Sequence, residues 1–129
     1  MAHRSPTLTA IGKAEAARAF VGLVDPEGIA TPTSAAQAGE CFRLEADTGA
    51  IRYAVSFTGG AAWITGAAGH GQGMTAEGLR MIEAQALARG CRRVGFQTVR
   101  RGLVRRAIRQ GYRITSETGA GFVLVKEIP

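Results

Sequence analysis

Across residues 61–89, AAWITGAAGHGQGMTAEGLRMIEAQALAR, the hydrophobic period changes from two to about 3.6, and alternating glycines mark the change. Residues 61–67 read as an apolar strand, and Gly69-His70-Gly71-Gln72-Gly73 as a loop. A helix then runs from Met74 or Thr75 to Arg89, with Leu79, Ile82 and Ala86 three or four apart and Leu87 beside them. Thr75 is the expected N-cap, Gly78 lets the helix lie close to a sheet, and Gly90 falls where a left-handed residue ends a helix. A strand handed to a helix through glycines aims consecutive backbone N–H groups at one point. The positive end of the helix dipole lies there too, so the place suits a phosphate or another anion. Such a junction belongs to a layered α/β architecture.

The elements on either side set the order. Residues 9–24 read as a first helix, with Ile11, Ala14, Phe20, Val21 and Val24 inward, and Asp25-Pro26-Glu27-Gly28 breaks it. The first eight residues read as a flexible end, and residues 30–40 as a loop by composition. Residues 41–46 form a strand, Asp47-Thr48-Gly49 a turn, and residues 50–57 a second strand with Ile51, Tyr53, Val55 and Phe57 on one side. Gly59-Gly60 leads into the third strand and completes an antiparallel meander. Residues 93–98 (RVGFQT) are reached through the long helix, so this strand is expected parallel to the third. A short helix over about 102–110 turns Leu103, Ala107 and Ile108 inward. Gly111-Tyr112 then leads into a strand, and residues 121–127 (GFVLVKE) close the sheet. The expectation is a single α/β domain over residues 1–129, with a mixed, mostly antiparallel sheet. Its ligand crevice would lie beyond the carboxyl end of the third strand.

The 129 residues carry Lys+Arg 16 against Asp+Glu 10, with lysine only at Lys13 and Lys126. Placement says more than the total: nine arginines and no acidic residue lie from Arg89 to Arg113. That stripe attracts phosphates, on a nucleotide cofactor or on nucleic acid. No aromatic is interleaved among Arg101, Arg105 and Arg109, which argues against holding single strands by base stacking. Cys41 and Cys91 are too few for a disulfide framework and lack metal-ligand spacing, so they read as small buried thiols and no metal is expected. No run of about 18 apolar residues offers a membrane span, and no basic-then-apolar leader opens the chain. A reducing cytoplasm is the expected compartment.

Over residues 41–128 the chain resembles the GNAT superfamily of acyl-CoA-dependent N-acyltransferases. The likeness rests on the third strand with its glycines, on the phrase ALARGCRRVGF, and on Gly111-Tyr112 closing a short helix before the last strands. In the family's Arg/Gln-x-x-Gly-x-Gly/Ala motif, Gly71 and Gly73 take the two small positions and Ala68 falls on the first. The resemblance implies a strand–glycine loop–helix core, with acetyl-CoA or another acyl-CoA as co-substrate and an amine as acceptor. It implies that backbone amides of Gly71, Gln72, Gly73 and Met74 hold the coenzyme A pyrophosphate, with Gly69, His70 and Thr75 beside them. The strand edge at Ile64, Thr65, Gly66 and Ala67 would pair with the pantetheine arm, in a slot made where the third strand splays from residues 93–98. Arg105 would meet the 3′-phosphate. The family pattern is broken in several places. Ala107 stands where members often carry a tyrosine general acid, and Val99-Arg100-Arg101-Gly102 where an asparagine usually follows the strand. The third strand holds no glutamate to act as base, and the N-terminal portion is short.

Few catalytic candidates remain. Gln97 and Thr98 could orient an acceptor by hydrogen bonds, Arg100 could stabilise an oxyanion or hold an anionic substrate, and His70 could donate to phosphate or move a proton. Each also has a structural reading: strand-end capping, a solvated charge, a solvent-facing loop residue. The glycine alternation can equally be a tight strand–helix connection. Arg101, Arg105 and Arg109 fall four apart on one helix face, which is a solvated surface, a 3′-phosphate site or a nucleic-acid contact. Tyr53, Trp63 and Tyr112 read as packing residues, and Glu45 as a base only if it enters the slot. Three functions stay open: an N-acyltransferase, a nucleic-acid-modifying relative of the same fold, and a non-enzymatic scaffold of a larger assembly such as a phage particle.

Overall fold

The computed structural model describes residues 5–22, 31–119 and 121–129. Its elements are β1 (Thr7–Ala10), α1 (Lys13–Ala19), α2 (Pro32–Gln37), β2 (Glu40–Ala46), β3 (Gly49–Thr58), β4 (Ala61–Gly71), α3 (Met74–Ala88), β5 (Arg93–Thr98), α4 (Arg101–Arg109), β6 (Arg113–Thr118) and β7 (Gly121–Glu127). The strands form one seven-stranded sheet in the order β1-β2-β3-β4-β5-β7-β6. Its single parallel pairing is β4 with β5, as the helical connection between them predicts. The last strand, β7, is inserted between β5 and β6.

Side-chain alternation gives the sheet two apolar faces. Tyr53 and Val55 of β3 enter a main core with Leu44, Val94 and Leu124, covered by Leu79, Ile82 and Ala86 of α3 and Val104 and Ala107 of α4. Ala54 points the other way, into a smaller core with Ala16 and Phe20 near α1, Ala35 and Ala36 of α2, and Cys41. Complete burial of a side chain such as Leu44 stabilises by roughly 1.5–3 kcal/mol relative to leaving it exposed. Gly78 allows α3 to settle on the sheet, because a Cβ there would lie 3.1 Å from Ile51 Cδ1.

Polar contacts then bind α3 to both halves of the sheet. On one side Tyr53 of β3 donates its hydroxyl to Gln85. On the other, Glu83 accepts from the Tyr112 hydroxyl at 3.0 Å and from Lys126 Nζ of β7 at 2.9 Å. Both helices on this face end alike. Gly90 has φ +77°, its N–H meets Leu87 O at 3.0 Å, and Cys91 N–H meets Ala86 O at 2.8 Å. In α4, Gly111 and Tyr112 repeat the pair of bonds to Ile108 and Ala107, both at 3.0 Å. The residue after each left-handed glycine is buried, which anchors the start of the next strand.

The N-terminal third departs from expectation. Residues 9–24 are not one helix. Thr7–Ala10 pairs with β2 instead, and Ile11 N–H continues the ladder to Cys41 O at 3.0 Å. Only Lys13–Ala19 is helical; Phe20 is buried as expected, whereas Val21 is exposed. Thr7 and Leu8, placed in the flexible end, belong to that strand. Val24 and the break at residues 25–28 lie outside the described residues. Residues 32–37, expected as loop, are helical. The cause is legible afterwards: Thr31 and Ser34 cap each other's backbone N–H at 3.0 and 2.7 Å, and Pro32 opens the first turn. In α4, which starts at Arg101, Val104 and Ala107 face the core and Ile108 is exposed rather than inward.

Two outcomes follow from this packing. A Cβ at Gly66 of β4 would come within 2.8 Å of the buried Phe20 ring. Gly66→Ala should therefore lose about 1–3 kcal/mol in urea unfolding, and less in a Phe20→Leu background. Hydrogen bonds from Arg52 and then Arg43 hold the Glu15 carboxyl below its ordinary 4.5, and Arg89 does the same for Glu40. A carboxyl that ionises more readily when folded stabilises above its unfolded value, and that contribution is lost as pH falls through the folded one. On acidification below about 4.5, the thermal midpoint of Glu40→Gln should fall less than that of the parent chain.

Candidate functional site

Three residue pairs join β4 to β5: Ala61 with Arg93, Ala62 with Val94 and Trp63 with Gly95. Past Trp63 the two strands part. Residues 64–71 keep only β3 as partner, while Phe96, Gln97 and Thr98 keep only β7. A β-bulge coincides with the parting, since Ala54 faces Gly66 and Val55 faces Ile64, leaving Thr65 as the extra residue. Thr65 Oγ1 donates to Ala35 O of α2 at 2.8 Å, with Ala54 O at 3.3 Å, so the bulge is locked from the helix layer. Bulges bend a strand and increase its twist, which turns β4 away from β5 and bares its edge. At Ile64, Thr65, Gly66 and Ala67 that edge offers main chain alone. Ile64 and Ala67 pack on the main core, Thr65 is tied to α2, and Gly66 lies against Phe20.

The glycines beyond the bulge divide by role. Gly69, His70 and Gly71, expected in a loop, are the last residues of β4 and pair with Ile51, Ala50 and Gly49. A Cβ on Gly69 would lie 2.6 Å from Ala50 O, and one on Gly71 2.1 Å from Thr48 O. These two glycines permit close strand pairing, which is the structural reading of the alternation. The turn is only Gln72-Gly73. Gly73 has φ +78°, and a Cβ there would meet nothing within 4 Å, so its requirement is conformational and its surroundings are open. Gly73, not Thr75, is the N-cap of α3, and it brings no capping side chain. The first helical bond is Glu77 N–H to Gly73 O at 3.1 Å, so the N–H groups of Met74, Thr75 and Ala76 have no helical acceptor. Met74 is buried.

A second uncapped helix starts where β5 ends. Arg100 is the N-cap of α4 without a side-chain cap bond. Thr98 is buried, and its Oγ1 accepts from Arg100 N–H at 3.1 Å, which assigns it to shaping the strand exit. Gln97 is half-buried and, by alternation from buried Phe96 and Thr98, belongs to the face that α1 and α2 share. His70 shares that face by alternation from Ala68, which packs on the smaller core, and is exposed. The arginine stripe divides too. Arg89 pairs with Glu40, and Arg93 and Arg113 with Glu127. Arg100, Arg101, Arg105, Arg106 and Arg109 have no carboxylate partner among the described residues, and Arg101 lies 5.7 Å from the Phe122 ring centroid. Both parted strands thus run into helix N-termini, and α4 carries Arg100 and Arg101 at its own, with Arg106 and Arg109 in its last turn.

Other candidates fall outside this gap. Glu45 bonds Arg43 Nε at 2.8 Å on β2, two strands from β4 on the side away from β5. Ala107 is a core residue, and Tyr112 commits its hydroxyl to Glu83; burial, with the Glu83 charge, raises its pKa. Cys41 and Cys91 are buried free thiols, and burial raises the Cys41 pKa as well. Among the described residues no cluster of His, Cys, Asp or Glu could hold a metal ion, and no helix is long and apolar enough to cross a membrane. Sequence reasoning missed the cluster of Glu15, Arg43 and Arg52, in which the arginines lie 28 and 37 positions from the glutamate with no local pattern to flag them.

The two glycine roles separate on substitution. Gly73→Ala should cost about 1–2 kcal/mol from its left-handed backbone, and Gly73→Asn less. Gly71→Ala should cost more than either, because a backbone oxygen blocks the Cβ as well. Urea unfolding of the three variants measures the ranking.

No protein-family model and no curated protein sequence matches the chain. Solved structures do. An IAA acetyltransferase from Bacillus cereus is 18% identical with a TM-score of 0.67, over 96% of this chain and 100% of that one. A Bacillus subtilis acetyltransferase in complex with CoA is 15% identical with a TM-score of 0.66, over 99% and 100%. An acetyltransferase of the GNAT family from Streptococcus pneumoniae is 11% identical with a TM-score of 0.60, over 97% and 100%. The alignments take in the N-terminal portion that was expected to be short, where β1, α1 and α2 stand. At these identities the likeness is one of architecture, and the architecture is that of the GNAT acetyltransferases: a divergent sequence on the GNAT fold.

Proposed function

We propose that the chain binds acetyl-CoA or another acyl-CoA and transfers the acyl group to an amine. The observation that carries this reading is the parting of β4 from β5 at the Thr65 bulge, with an uncapped α3 N-terminus at the end of the bared strand. The N–H groups of Gly73, Met74, Thr75 and Ala76 suit the coenzyme A pyrophosphate. The pantetheine arm, which carries amide groups of its own, adds to the free edge at residues 64–67 much as an extra strand would. Arg105 is assigned to the 3′-phosphate, with Arg101 and Arg109 on the same helix.

The gap then holds the thioester where a β4 backbone N–H polarises its carbonyl, and the acceptor amine attacks that carbon. A C–N bond forms, the C–S bond breaks, and coenzyme A leaves as thiolate. The proton lost by the amine passes through water to the thiolate, because Ala107 has no hydroxyl and Tyr112 is committed to Glu83. Gln97 and His70, on the α1 and α2 face, are assigned to the acceptor side, Arg100 to charge at the gap, and Thr98 to positioning Arg100.

Calorimetry with acetyl-CoA tests the reading, using an isosteric pair that both tolerate a left-handed backbone. Gly73→Asn should bind within about threefold of the parent chain, and Gly73→Asp about tenfold or more weaker, since a carboxylate replaces space meant for phosphate. Arg105→Glu should weaken CoA several-fold and leave dephospho-CoA unchanged. No saturable binding, or equal affinity for the Asn and Asp variants, overturns the site. If Arg105→Glu does not distinguish CoA from dephospho-CoA, the unpaired α4 arginines are left for a polyanion such as nucleic acid.

A further inference from the structure

The α1 side of the sheet carries a charged cluster that the acyl-CoA slot does not use. Arg43 of β2 and Arg52 of β3 are direct cross-strand partners, and Ala68 of β4 is next in the same row. Like charges set opposite each other on a sheet repel unless an anion lies between them. Glu15 of α1 supplies one: its Oε2 accepts from Arg43 Nη1 and from Arg52 Nε, both at 2.9 Å. Glu45 takes the remaining Nε of Arg43 at 2.8 Å. Arg18, three residues on from Glu15, brings a third guanidinium to the same depression and has no carboxylate partner among the described residues.

That depression measures about 500 Å³ and is lined by Glu15, Arg18, Ala19, Arg43 and Arg52. Three guanidinium groups face it against a single carboxylate inside it. Among the described residues, the two terminal nitrogens of Arg52 have no acceptor, so a planar fork of donors is left over. A fork of this kind fits the paired oxygens of a carboxylate or phosphate. Its position is also informative. Neighbouring strands lie about 4.8 Å apart, so Arg52 stands one strand from β4, whose far edge opens on the gap.

We propose that Arg18, Arg43 and Arg52 seat the acidic group of the acceptor, and that the acyl group goes to amines bearing a carboxylate or phosphate. This rests on the acyltransfer reading above. Glu15 is the resident counter-ion: it neutralises the cross-strand arginines when the seat is empty and competes with the incoming anion.

Calorimetry can separate the seat from the slot. Glutarate and inorganic phosphate, titrated separately, probe the seat for carboxylate and for phosphate, and acetyl-CoA probes the slot. Arg52→Gln should weaken the preferred anion about tenfold or more, and Arg18→Gln several-fold, with acetyl-CoA affinity unchanged. Glu15→Gln should strengthen it several-fold, a gain that a purely structural ion pair does not produce. Arg18 has no ion pair to lose among the described residues, so Arg18→Gln serves where Arg52→Gln fails to fold. In transfer assays, amines carrying a carboxylate should be preferred over their carboxamide counterparts, and the preference should vanish in Arg18→Gln and Arg52→Gln. Binding of neither anion, or unchanged affinity in these variants, overturns the seat even where acetyl-CoA binds. Expected anion affinities without any acetyl-CoA binding overturn the acyltransfer reading, and the acceptor assignment with it.

Discussion

The extra residue of β4 sits where that strand leaves β5, and its hydroxyl is held by carbonyl groups of Ala35 and Ala54. A bulge without such a partner could relax into regular pairing; tied to α2, it holds a fixed bend. The small helix expected to be loop therefore has a task in the architecture. It supplies the carbonyl that keeps the sheet from closing, and its own position depends on the reciprocal caps of Thr31 and Ser34. Gly66, next along, presses on Phe20 and adds a second point of contact between the bend and the helical layer. The opening between β4 and β5 is thus set from the face opposite to α3 and α4.

Charge is sorted as sharply as shape. Four other arginines are matched to glutamates: Arg89 to Glu40, Arg80 to Glu77, Arg93 and Arg113 to Glu127. These pairs are exposed, and each contributes little to stability. The arginines of α4 have no such matches among the described residues, and Arg43 and Arg52 share theirs. Among the described residues, positive charge is left over on α4 and around Arg18 and Arg52, on opposite faces of the sheet, which agrees with the proposed anionic donor on one face and the proposed anionic acceptor on the other.

How much of this was legible in the sequence varied with the range of the interactions involved. Residues 93–98 and 121–127 were read at their observed limits, because apolar content and flanking glycines define them locally. The end of α3 at Gly90 was legible for the same reason. β1 was not: four mostly exposed residues become a strand only because the edge of β2 is available, which no local pattern records. His70 was misplaced because alternating glycines look alike whether they form a loop or pair closely with another strand. Only the approach of Thr48 and Ala50 oxygens, from a different part of the chain, distinguishes the two. The bulge and the Arg43–Arg52 row are likewise products of register, and register is a property of the folded sheet.

Helix α3 has a consequence for how the opening can move. It reaches β3 through Gln85 and Tyr53 and the far strands through Glu83, Lys126 and Tyr112, so it spans the discontinuity from beneath. Mechanically it is a strut across a split plate. Widening the split by a rigid swing of one half would break buried or half-buried polar contacts at one end of the strut. The two halves should instead keep their spacing while ligands come and go, and the compliance needed for entry falls to the side chains at the mouth. Such a plate offers a groove of constant width, shaped before anything enters it.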